Sequence, residues 1–174
     1  MLRFLQIFFV FFAFFYASLA YATNPTITGI SVNGANSQLT VTFSEDVFNA
    51  TGGSGNLEAT DFVLSISGGA ATIGAATPTS ISRTSDSIWV LGFNTSGTAN
   101  GSETIQVVPA SSSSIYDGSD NAASATQSNN TASLTEKVLP TIASTTVNSA
   151  NSQLTVTFSE DVFNATGGSG NLEA

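Results

Sequence analysis

From Pro25 onward the apolar residues of this chain alternate with polar ones and do not recur at helical spacing. Leu39, Val41 and Phe43 are separated by Thr40 and Thr42, which places three apolar side chains on one face of an extended strand. Phe62, Leu64 and Ile66 repeat the pattern, and Ile105 and Val107 make a further inward pair. In residues 87–93, Trp89, Leu91 and Phe93 share a face while Ile88 and Val90 point the other way, which predicts a central strand covered on both sides. Ile27 and Ile30 stand three apart, a break in alternation that predicts a bulge or a switch between sheets in the first strand. Short runs at 71–73, 79–82 and 133–138 bring the expectation to about seven to eight strands, separated by Gly, Ser and Asn turns. The fold class expected is all-β, an antiparallel β-sandwich.

The connections are polar. Residues 49–56 (NATGGSGN) are rich in glycine but lack the Lys and the following helix that a phosphate-binding loop needs, so they read as a hairpin or crossover loop. Residues 94–102 form another polar turn, and the longest connection, 109–131, is rich in Ser and interrupted by IYDGSDN at 115–121. Residues 134–140 read as a last strand running into a linker.

A second pattern is superimposed on the first. The string ANSQLTVTFSEDVFNATGGSGNLEA occupies residues 35–59 and again 150–174. Aligned outward, Pro25 falls on Pro140, an offset of 115 residues, and 30 of the 35 paired positions are identical. A period of this length matches a whole domain and not a solenoid unit, so the chain divides into a complete tandem repeat at 23–139 and the truncated start of a second at 140–174.

Residues 1–22 follow another logic: Arg3, then an uninterrupted apolar run at 7–17, then Ala20-Tyr21-Ala22 with small residues where a signal peptidase reads. The run is short against the ~20 residues of a spanning helix, so it is expected to be a cleaved signal-peptide helix and the mature protein to be secreted or placed at the cell surface. Beyond it the only basic residues are Arg83 and Lys137 against 12 acids, a net charge of −10. Such a balance argues against nucleic acid and anionic membranes as partners. Cysteine is absent, so a unit of this length must stand on its buried core, and export without disulfides leans towards a bacterial surface protein.

With neither His nor Cys, imidazole catalysis, thiol nucleophiles and zinc sites with nitrogen or sulfur ligands are excluded, and no carboxylate pair stands out as a glycosidase would require. The expectation is a protein that is not an enzyme. Glu45, Asp46, Asp117, Asp120 and Asn121 offer hard oxygen ligands with few basic neighbours, a set suited to Ca²⁺. The competing reading is that Asp117, Asp120 and Asn121 cap turns while Glu45 and Asp46 are solvated. Trp89 is a core residue on its alternating strand, ahead of a sugar-stacking role.

The opening PTITGI, VTFSEDV at 41–47, ATDFVLSISGG at 59–69 and SIYDGSDNAA at 114–123, in that order, resemble bacterial Ig-like repeats. Repeats of this type occur in S-layer proteins and large surface adhesins, the cyanobacterial SwmB-like repeats among them. The resemblance implies an Ig-like sandwich serving as a spacer or weak interaction module, with neighbouring repeats as partners and no catalytic set. Alternatives are an extracellular module binding glycan or protein, or an accessory domain of a secreted hydrolase. One departure is Asp120, which stands where many relatives have Gly, so a turn that needs positive φ is put to the test there.

Overall fold

A computed structural model describes residues 23–172. The signal-peptide expectation for 1–22 lies outside the described residues. Among the described residues the structure is all-β and antiparallel, with one short 3-10 turn at Ala59–Asp61. Strands β1 (Ile27–Val32), β2 (Gln38–Phe43), β6 (Ser80–Ser85) and β7 (Ile88–Gly92) form a sheet in the order β1-β2-β7-β6. Strands β4 (Phe62–Ser67), β9 (Thr104–Pro109) and β11 (Thr131–Ser133) form another in the order β11-β9-β4. Two small ladders pair β3 (Val47–Phe48) with β10 (Tyr116–Asp117), and β5 (Thr72–Ile73) with β8 (Thr95–Ser96). A separate hairpin, β12 (Ile142–Val147) and β13 (Leu154–Phe158), follows.

Alternation decides what these strands bury. Leu39, Val41 and Phe43 from β2, Trp89 and Leu91 from β7, Phe62 and Leu64 from β4, and Ile105 and Val107 from β9 meet in one hydrophobic cluster. The Phe43 and Phe62 rings, one from each larger sheet, approach to 6.3 Å between centroids, so the apolar faces of the two sheets look at each other, an arrangement consistent with a β-sandwich. The irregularity in β1 is a bulge: pairing with β2 shifts between Ile27 and Gly29. Ile27 is thereby buried while Ile30 still packs against the core.

Three sequence readings are corrected. β7 is central in its sheet but not covered on both sides, because the second layer lies on one face only and Ile88 and Val90 remain half-buried on the other. The strand expected over 133–138 lies earlier, at Thr131–Ser133, with Ala132 opposite Ile105. Beyond it the backbone is satisfied elsewhere: the Asn36 amide donates to the Thr135 carbonyl at 2.6 Å and accepts from the Thr135 N–H at 2.8 Å, and the Lys137 N–H donates to the Ala99 carbonyl. Finally, the connections 94–102 and 109–131 are not wholly loop, since they contribute β8 and β10.

Candidate functional site

The acidic residues singled out in the sequence gather around the β3–β10 ladder, where Tyr116 opposes Phe48 and Asp117 opposes Val47. Asp117 is buried, and its carboxylate organises the turn that follows. Its Oδ1 accepts from the Ser119 and Asn121 N–H groups, both at 2.8 Å, and its Oδ2 accepts from the Asn121 side-chain amide at 2.7 Å. Burial pushes the Asp117 carboxyl up, but the Asn121 side chain and the Asn121 and Ser119 N–H groups outweigh it and leave the carboxyl below its ordinary range.

Asp120 takes up φ 69°, the left-handed conformation that Asp and Asn tolerate better than most non-glycine residues. From there its carboxylate accepts the Gly52 N–H and ties the 115–123 turn to the 49–56 loop. That loop is closed internally by an Ala50–Ser54 bridge, and Gly53, at φ 61°, lies within van der Waals reach of the Gly118 backbone. Glu45 is half-buried; burial first, and then the charges of Asp117 and Asp46, push its carboxyl up. Asp46 is exposed.

The structure thus brings Glu45, Asp46 and Asp117 near one another, joins Asn121 to Asp117 and turns Asp120 towards Gly52. Among the described residues no three carboxylates converge as a metal group. The Asp117 carboxylate already accepts three hydrogen bonds within its own turn, which supports the turn-capping role.

Beside this turn, Arg83 pairs with Asp86, donates to the Asn56 side chain at 2.9 Å and lies 6.0 Å from the Trp89 ring centre. Trp89 itself is buried, and its indole N–H donates to the Asp86 carbonyl at 3.1 Å, so it is a core residue.

Sequence reasoning missed Glu103. This buried carboxylate accepts the N–H groups of Ala70 (2.7 Å) and Ala71 (2.9 Å) on one side and of Asn100 and Gly101 (both 3.0 Å) on the other. The Ala71 N–H leads in holding the carboxyl down to about 2, with burial opposing and the Asn100 and Ala70 N–H groups adding to the lowering. Gly69, at φ 57°, leaves the room: a Cβ there would run into the Glu103 carboxylate. The legible signal was a lone acid between Gly101 and the start of a strand, facing a Gly-Gly pair elsewhere in the chain.

The other candidate surface is the β12–β13 hairpin, whose Ile142, Val147, Leu154 and Val156 are exposed. It repeats the turn, the bulge and the strand register of the β1–β2 hairpin. Asn33 Oδ1 accepts from the Ser37 and Gln38 N–H groups at 2.9 and 3.1 Å, and Asn148 Oδ1 accepts from Ser152 and Gln153 at 2.9 and 3.2 Å. Asn36 and Asn151 sit at φ 54° and 55°. The bulge recurs between Ile142 and Ser144. No protein-family model matches the chain, and neither a curated protein nor a solved structure does, so the resemblance to Ig-like repeats stands on the residues that carry it.

Proposed function

We propose that this chain is a structural and adhesive repeat module: an Ig-like bead of an exported, surface-attached bacterial protein that spaces a more distal region from the cell and contacts neighbouring repeats weakly. The observation that carries the reading is the repeat itself. Thirty of 35 positions recur at a domain-length offset, and the repeated stretch forms the same hairpin with the same bulge and the same asparagine-braced turn. Near-identical units of about 115 residues, joined around Leu139 and Pro140, make an extended string whose span is set by copy number. The acidic, lysine-poor surface of each bead suits a spacer, because like-charged neighbours repel and stay apart.

Small-angle scattering on chains of one, two and four complete units tests this. Each unit has an expected radius of gyration of about 13 Å, and the maximum dimension should grow nearly in proportion to copy number. A compact particle that widened only slowly would replace the spacer with an interlocked assembly.

A further inference from the structure

Asparagine followed by glycine is a chemically labile pair, because the glycine nitrogen, unhindered by a side chain, can attack the asparagine side-chain carbonyl. The sequence holds two such pairs, Asn33–Gly34 in the β1–β2 turn and Asn100–Gly101 ahead of β9. The repeated turn supplies a control. There Asn148 is followed by Ser149 in place of glycine, one of five positions at which the two stretches differ.

The two pairs sit in opposite surroundings. Asn33 Oδ1 accepts the Ser37 and Gln38 N–H groups at 2.9 and 3.1 Å, so two donors already aim at the oxygen on which negative charge grows when its carbon is attacked. Attack also requires the glycine nitrogen to give up its proton. Gly34 is exposed, and its N–H donates to no protein acceptor among the described residues. At Asn100 both conditions are reversed. Its Oδ1 accepts a single N–H, from Ser102 at 3.1 Å, and the Gly101 N–H donates to the Glu103 carboxylate at 3.0 Å. Removing that proton would break a charge-assisted bond and set a second negative charge beside the carboxylate. Asn148 keeps both donors, Ser152 and Gln153 at 2.9 and 3.2 Å, but the Ser149 side chain hinders the attacking nitrogen.

We propose that Asn33–Gly34 is a self-modification site, at which the turn converts its own asparagine to aspartate or isoaspartate with water as the co-reactant. A bond forms between the Gly34 nitrogen and Asn33 Cγ, the Cγ–Nδ2 bond breaks, and ammonia leaves with the proton shed by Gly34. Water then opens the cyclic imide. Opening at Cγ gives aspartate, and opening at the main-chain carbonyl of Asn33 gives isoaspartate, whose backbone is longer by a carbon. Either product adds a negative charge to the turn. Isoaspartate also withdraws the side-chain oxygen from Ser37 and Gln38, the contacts that brace the hairpin.

The test incubates the full chain at mildly alkaline pH in ¹⁸O water and reads its peptides by mass spectrometry, with electron-transfer fragmentation to tell isoaspartate from aspartate. The folded chain should convert Asn33 on the order of tenfold faster than either Asn100 or Asn148, and Gly34→Ser should bring Asn33 down to the rate of Asn148. That variant should keep the wild-type melting, because Gly34 is not at positive φ and an added Cβ meets nothing within 4 Å. In urea, Asn33 and Asn100 should convert alike, since both are followed by glycine, which assigns the lead of Asn33 to the fold. Asn100 converting as fast as Asn33 in the folded chain would overturn the proposal. So would a folded Asn33 no faster than Asn148, or a lead over Asn100 that persists in urea.

Discussion

Leu39 and Leu154 occupy the same place in the same sequence, in hairpins with the same turn and the same bulge, yet Leu39 is 0% exposed and Leu154 62%. The difference lies wholly in what stands opposite. Beside β2 stands β7, and β4 and β9 of the other sheet close over the apolar face, whereas every described residue of β12 and most of β13 face solvent. A hairpin's backbone is therefore a local property, set by Asn33 or Asn148 bracing the turn and by a residue at positive φ. Burial depends on partners distant in sequence, and the two hairpins separate these contributions within one molecule.

The sharpest test is a pair of matched substitutions. Phe43→Ala should destabilise the first unit by about 3–5 kcal/mol, the usual range for removing a large buried aromatic, a large part of the stability of an ordinary domain. Phe158→Ala should leave the same transition unchanged to within about 0.5 kcal/mol. Urea titration monitored by Trp89 emission reads both. Equal losses from the two variants would mean that the second hairpin also covers the first unit's core.

Next in size is the Glu103 clasp, whose carboxylate joins the Ala70–Ala71 and Asn100–Gly101 segments. Glu103→Ala leaves the N–H groups of Ala70, Ala71, Asn100 and Gly101 without their acceptor and should lower the melting temperature clearly, while Glu136→Ala, at an exposed position, should not. The pH dependence carries the signature. With the folded carboxyl lowered to about 2 from its ordinary 4.5, the native state holds its proton less tightly than the unfolded one. The stabilisation is complete above the ordinary value and is lost as pH falls through that window. Melting curves between pH 5 and 2 (on the order of the range set by those two values) should fall more steeply for wild type than for Glu103→Gln. Parallel curves would remove the clasp from the acid response.

These two tests also mark where sequence reading succeeds. Strands with clean alternation, β2, β4, β7 and β9, and the bulge at Ile27 were legible because each is a local signal, as was the burial of Trp89. The β3–β10 ladder was not legible, because Val47–Phe48 and Tyr116–Asp117 are too short to show a period and exist by pairing with each other across the chain. The end of the last strand was misplaced for a similar reason: Asn36, 99 residues away, takes both polar groups of Thr135. In the acidic turn the residue types were visible, but not the division of labour. Asp117 satisfies its own loop and Asp120 reaches across to Gly52.

The Gly-rich loops extend the comparison at lower energy. Residues 49–56 and 164–171 share their sequence, and the internal bridge recurs as Ala165–Ser169, but only the first loop is tied down by Asp120. Asp120→Ala should raise amide exchange at Gly52 towards the rate at Gly167 while barely moving the melting temperature. On the turn-capping reading, in which Asp117 serves Ser119 and Asn121, calcium should change neither exchange nor melting relative to EDTA. A calcium-dependent rise in melting temperature, abolished by Asp117→Asn with Asp120→Asn, would restore the metal reading.

The smallest expected effect concerns Glu45 and its twin Glu160. Burial, with Asp117 and Asp46 nearby, pushes the Glu45 carboxyl up, so its ionised form is disfavoured in the native state. The resulting penalty is absent below the ordinary carboxylate value, where both states are protonated, and grows as pH rises to the folded value. Glu45→Gln should therefore stabilise the first unit at pH 7, by no more than about 0.5 kcal/mol given its exposure to solvent, and the gain should vanish in acid. Glu160→Gln, in the identical local sequence on the uncovered hairpin, should change the first unit's melting at neither pH. A gain from Glu45→Gln that persisted in acid would have to come from packing and not from charge, and the proximity of Asp117 would then explain nothing about Glu45.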